Sequence, residues 1–149
     1  MQDSIAAATI VGIIGAVLMD LLVYALVVLG IPIITPWNIA ADVFLKWDKV
    51  NSNIGLLLGV IGTIALCVGT AILIVLLIKL TGTDFAILKG IITANTVGFG
   101  SMGLFMPLLN IAPQIQSQPL TNLLAVVILT ILGATMSYIL KKYGTFLRA

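Results

Sequence analysis

Four stretches of this chain are too long and too apolar to serve as helices of a water-soluble domain. A helix needs roughly 20 mostly apolar residues to cross about 30 Å of hydrocarbon. Runs meeting that requirement lie at about 5–29, 54–80, 85–105 and 120–140. Their ends carry helix punctuation. Asp3 and Ser4 precede the first run and Gly30 and Pro32 follow it; Asn51, Ser52 and Asn53 precede the second, and Lys79 and Gly82 close it. Asp84 is expected to cap the third run and Pro107 to stop it, while Pro119 opens the fourth, where a missing N–H is harmless, and Lys141 and Lys142 end it. A cleaved signal would need a basic leader and an apolar stretch of about 7 to 15 residues. No Lys or Arg precedes the first run, so it reads as a membrane helix.

The predicted fold class is therefore an all-α membrane protein: a four-transmembrane-helix antiparallel bundle, with residues 1–149 forming a single transmembrane domain. Composition agrees, since only 8% of the residues are charged where soluble domains carry about a quarter. The formal net charge of +2 without a basic block gives nucleic acid no surface to bind. The chain has no His, no Glu and a single Cys, so the commonest general base and metal ligand are missing and no catalytic, cofactor-binding or metal-binding group is expected. Lys79, Lys89, Lys141, Lys142 and Arg148 fall on one side of four antiparallel spans and Lys46 and Lys49 on the other, which predicts both termini in the cytoplasm.

The connection between the first two spans is rich in Trp and Phe. On a helical wheel over 36–49, Trp37, Ala40, Ala41, Val43, Phe44, Leu45 and Trp47 share one face, and Asn38, Asp42, Lys46 and Lys49 the other. Thr35 and Pro36 supply a cap and a first-turn residue, and Asp42 with Lys46 forms a favourable i,i+4 pair. The segment reads as a short amphipathic interfacial helix anchored by Trp37, Phe44 and Trp47; a lid or a docking surface would have the same pattern.

Asp20 is the residue that a membrane helix rarely carries, since a central Asp costs roughly 2.5 to 3.5 kcal/mol on insertion scales. Counting equal depths into antiparallel helices brings Thr63, Thr130 and Ser101 near its level, with Asn95 about a turn deeper and Tyr24 one turn outward. This predicts a polar layer of Asp20, Tyr24, Thr63, Asn95, Ser101 and Thr130, acting either as a proton or cation station or as an interhelical hydrogen-bond clasp. Small residues mark the packing faces: Gly12 on the first span, Gly55, Gly59, Gly62 and Gly69 on the second, Gly98 on the third, and Gly133 and Ala134 on the fourth. Lys89 is expected to snorkel to the headgroups, Cys67 to be a small buried apolar residue, and the run Gly98–Gly103 to break the third helix.

The stretch GIIGAVLMD in the first span, IAADVFL in the connection and LKGI at the start of the third span together resemble small four-helix bacterial membrane proteins whose activity is not established. That resemblance implies a multi-pass protein of the bacterial inner membrane and no particular activity. Four helices with an acid in the first span are also similar in architecture to small multidrug exporters, although the acid here is Asp20 rather than Glu and the 30–53 connection is longer. The functional expectation is a non-enzymatic structural or accessory protein with membrane lipids and either other membrane subunits or its own copies as partners. The alternative is a small proton-linked transporter or channel with Asp20 as its ion-binding group.

Overall fold

A computed structural model describes residues 3–144, so Arg148, counted above among the basic residues, lies outside the described residues. Among the described residues the structure is helical, with no strand. Helix α1 spans Ser4–Val28, α2 Pro36–Asp42, α3 Asn53–Thr81, α4 Ala86–Leu109 and α5 Pro119–Tyr143. Helices α1, α3, α4 and α5 are each long and apolar enough to cross a membrane.

The helix ends follow local chemistry. Asp3 accepts hydrogen bonds from the N–H groups of Ile5 (2.8 Å) and Ala6 (3.3 Å), and Ser52 Oγ accepts one from Gly55 N–H at 3.0 Å. Gly30 and Gly82 follow α1 and α3 with φ of 79° and 84°, left-handed conformations that a residue without a β-carbon adopts readily. Asp84 is not the cap of α4. Phe85 occupies that position in a left-handed conformation with no side-chain cap. Lys89 reaches back instead, donating from Nζ to the carbonyls of Gly82 (2.8 Å) and Thr81 (3.1 Å) at the end of α3. Its charge therefore meets the negative end of the helix dipole rather than only the headgroups.

Pro107 does not stop α4. The helix runs α-helical over Ala86–Gly100, widens into a π turn over Ser101–Phe105, and resumes over Met106–Leu109. A proline in a regular helix clashes with the carbonyl four residues earlier, here Gly103. In the π turn the Met106 N–H instead reaches the Ser101 carbonyl five residues back, so the helix passes the proline by widening. The glycine run is thus a bulge rather than a break.

Segment 36–49 is not one helix. It is α-helical only over Pro36–Asp42, with a separate 3₁₀ turn at Trp47–Lys49. The Asp42 carboxylate accepts the Ala112 N–H at 2.7 Å, tying the end of α2 to the 110–118 connection, and the proposed i,i+4 geometry with Lys46 ends with the helix. Thr35 begins α2 through its carbonyl, which accepts from Asn38 and Ile39, and its hydroxyl is buried without a partner. Trp37 packs partly into the core, whereas Phe44 is 69% exposed.

The principal packing pairs are α1 with α3 and α4 with α5, and α2 lies along the first half of α3. Gly12 meets the Val68 backbone, while Gly59 receives the Trp37 carbonyl and Gly62 receives Ala40. Gly55 lies against the Val50 carbonyl and Gly98 under Leu129. Gly69 is the exception: a β-carbon there would meet nothing within 4 Å, so it is not a packing position within the chain. The core is mostly aliphatic, centred on Ala16, Met19, Ile74, Ile78, Leu132 and Met136. Large apolar side chains such as Ile14, Val17 and Leu21 on α1 face outward, as lipid contact requires.

Candidate functional site

The predicted polar layer divides into two separate pairs. At the α1–α3 seam, Thr63 Oγ1 lies 3.2 Å from Asp20 Oδ2 and 2.9 Å from the Val60 carbonyl. One hydroxyl carries one proton, so Asp20 shares its donor with the helix backbone. Thr63 is 1% exposed, and Asp20 Oδ1 is buried without a partner. The carboxyl group is therefore tucked into the seam.

At the α4–α5 seam, Asn95 Nδ2 donates to Thr130 Oγ1 at 3.0 Å and to the Ile91 carbonyl at 3.0 Å, and Thr130 in turn donates to the Val126 carbonyl at 2.8 Å. Asn95 Oδ1 has no partner. Each pair joins two helices, and neither reaches the other. Tyr24 belongs to neither pair: it is 60% exposed on the outer face of α1, because the four-residue step from Asp20 drifts 40° around a helix of 3.6 residues per turn.

Ser101 joins neither pair; with Thr63 it lines the wall of an apolar cleft of about 440 Å³. The cleft runs between α3 and α4, with α5 and part of α1 behind it and α2 at one end; Ile39, Leu66, Met102, Leu124 and Leu129 are among its walls. No Asp, Lys or Arg lines it. This cleft was not legible in the sequence. Its wall includes the π turn, whose only sequence trace is Pro107 following Gly100, Ser101 and Gly103.

Among the described residues no group of three metal-ligating side chains comes together. Cys67 is buried, as expected of a small apolar residue. The arrangement can hold helices together through two polar pairs and can receive an apolar object in the cleft. A comparison with known protein families, characterised proteins and solved structures finds no match, so neither resemblance drawn from the sequence gains support, and four membrane-length apolar helices remain the shared feature.

Proposed function

We propose that this protein is a non-enzymatic accessory component of the bacterial inner membrane, acting as a subunit of a larger complex or a self-assembling bundle. The observation that carries the reading is bare backbone on the outside of two spans. Gly69 on α3 and Gly100 and Gly103 on α4 have no neighbour within 4 Å of where a β-carbon would stand. Within a bilayer, close backbone approach is how helices gain dispersion contacts, since lipid supplies no hydrophobic drive between them. The polar side chains of the spans support the same reading, because Asp20 and Asn95 are engaged in pairs at helix seams.

The four spans run antiparallel with both termini cytoplasmic and the α2 segment at the outer interface. Contact register supports the first part: Gly12 meets Val68 and Asp20 meets Thr63, while Gly90 meets Ser137 and Gly98 meets Leu129. Orientation rests on the Lys and Arg distribution. Cysteines introduced singly at Asp3 and Phe44, in a background with Cys67 replaced, should react from opposite sides of the membrane; reaction from the same side overturns the topology.

Native mass spectrometry from bilayer nanodiscs tests the assembly. Multiple copies, or a stoichiometric second chain, are expected, with loss of association in Gly69→Leu or Gly103→Leu. A monomer under these conditions overturns the reading. A second reading, proton-linked transport through Asp20, rests on the buried and unpartnered Oδ1. Proteoliposome flux driven by a pH gradient and abolished by Asp20→Asn is its signature; equal flux in that variant eliminates it.

A further inference from the structure

The cleft between α3 and α4 has the dimensions and chemistry of a site for one hydrocarbon chain. Its α5 wall runs from Thr121 to Leu132, which at 1.5 Å per residue is about 16 Å. Half of a bilayer core about 30 Å thick is about 15 Å, so the cleft is as long as one leaflet is deep. It also lies in the half of the bundle nearest α2, whose Pro36, Ile39 and Ala40 close one end, so it occupies one leaflet rather than straddling both.

Volume agrees with length. An apolar cavity of about 150 Å³ takes one benzene, roughly 25 Å³ per carbon, so on this scale the cleft takes on the order of 17 carbons. The walls also specify an occupant without charge or strong hydrogen-bonding groups. Four hydroxyls line the cleft, and three have their protons committed inside the protein: Thr63 to Val60 or Asp20, Thr70 to Leu66, and Thr121 to Gln118. Only Ser101 lacks a partner. The mouth is apolar as well, with Val43, Phe44, Leu66 and Phe105 all exposed at its rim. The 110–118 connection, which meets the cleft at Ile111, carries Asn110, Gln114, Gln116 and Gln118 and no charged residue.

We propose that this cleft is a binding site for a single acyl chain of a membrane phospholipid, which enters sideways from one leaflet and leaves its headgroup beside the 110–118 connection. The connection offers neutral amides and no cation, and the Asp42 carboxylate that touches it is engaged by the Ala112 N–H, so selection falls on the chain rather than on headgroup charge. This inference is independent of subunit association, which concerns the open glycines.

The test uses the full-length protein in phosphatidylcholine vesicles containing a small fraction of phosphatidylcholine with a photoreactive group in its acyl tail. Label should concentrate on peptides carrying Leu66, Met102 and Leu124, and an anionic phosphatidylglycerol probe with the same tail should label them equally. Ala65→Phe and Ala125→Phe fill the cleft from opposite walls. Each should cut cleft labelling about tenfold, the loss expected from about two methylene groups' worth of burial, while helicity and assembly state stay unchanged. Two filling variants guard against one failing to fold. Label spread equally over the outer face of α1 around Leu21, or cleft label unchanged in a folded filling variant, overturns the proposal. So does cross-linking of cleft residues between two protein chains, which would give the cleft to a helix.

Discussion

Helix α4 has two flanks that behave in opposite ways. Toward α5 it presents Gly90, Ala94 and Gly98, and the backbones close until a β-carbon on Gly90 would overlap Ser137 Oγ and the Gly133 carbonyl. Toward α3 it presents Val97, Ser101, Met102 and Phe105, and the cleft stands open. Both flanks are apolar, so hydrophobicity cannot be what distinguishes them. Small residues matched on both partners allow contact along a seam; larger side chains on one wall hold the other wall away. Dispersion energy falls steeply with separation, so the closed flank supplies stability and the open one supplies space.

The largest expected effect breaks the closed flank. Gly90→Leu places four carbons where Ser137 and the Gly133 backbone already are, neither of which can yield without separating α4 from α5. Overpacking of this kind should cost about 3 kcal/mol, read as reversible unfolding in mixed micelles. Gly69→Leu, into open space, should change the same measurement by less than about 0.5 kcal/mol. If the two substitutions cost the same, the contrast between closed and open faces fails. Because Gly69 is assigned to association, its variant should lower the oligomer fraction without lowering fold stability.

The polar pairs come next in size. Asp20→Ala and Asn95→Ala each remove one partner of an interhelical hydrogen bond, and double-mutant cycles with Thr63→Ala and Thr130→Ala should give couplings of about 0.6 to 2 kcal/mol. Asp20→Asn keeps the shape and a hydrogen-bonding group, so it should lose less than Asp20→Ala. A cycle between Asp20 and Asn95 should give a coupling near zero, since the two pairs sit at different seams. A sizeable coupling there would restore a single continuous polar layer.

The division between what could and could not be read from the sequence follows the range of the interactions. The spans were legible because an apolar run long enough to cross a bilayer has few other uses, and the caps Asp3 and Ser52 act within three residues of themselves. Depth counting placed Thr63 beside Asp20, because rise per residue is fixed. Depth alone does not say which seam a residue faces, which is why Ser101 joins neither polar pair; Tyr24 enters instead by a four-residue step from Asp20, and the 40° drift of that step turns it outward. The 36–49 wheel assumed an uninterrupted helix. The contact from Asp42 to Ala112, 70 residues away, carries no local signature. General preference makes Asp84 a cap and Pro107 a stop, but neighbours override both: Lys89 secures the turn from within α4, and the π turn absorbs the proline.

The smallest expected effect tests whether the width of the cleft is set along its walls or at the turn that joins them. Helices α3 and α4 are connected through residues 82–85, where Lys89 Nζ bridges the carbonyls of Thr81 and Gly82. A cation at a helix C-terminus contributes about 0.3 to 1 kcal/mol, so Lys89→Met should lower stability by that much and no more. Its local signature should be faster amide hydrogen exchange in the 82–89 turn, where Lys89 N–H bonds to the Phe85 carbonyl. The cleft begins at Thr70 on α3, eleven residues before the end of that helix, or about 16 Å away at the helical rise. If the packed walls fix its width, acyl-chain labelling at Leu66 and Met102 in Lys89→Met should stay within about twofold of the parent, a change of less than about 0.5 kcal/mol. A larger change would mean that the turn acts as a hinge, and that the open flank of α4 is held open by Lys89 rather than by the side chains that line it.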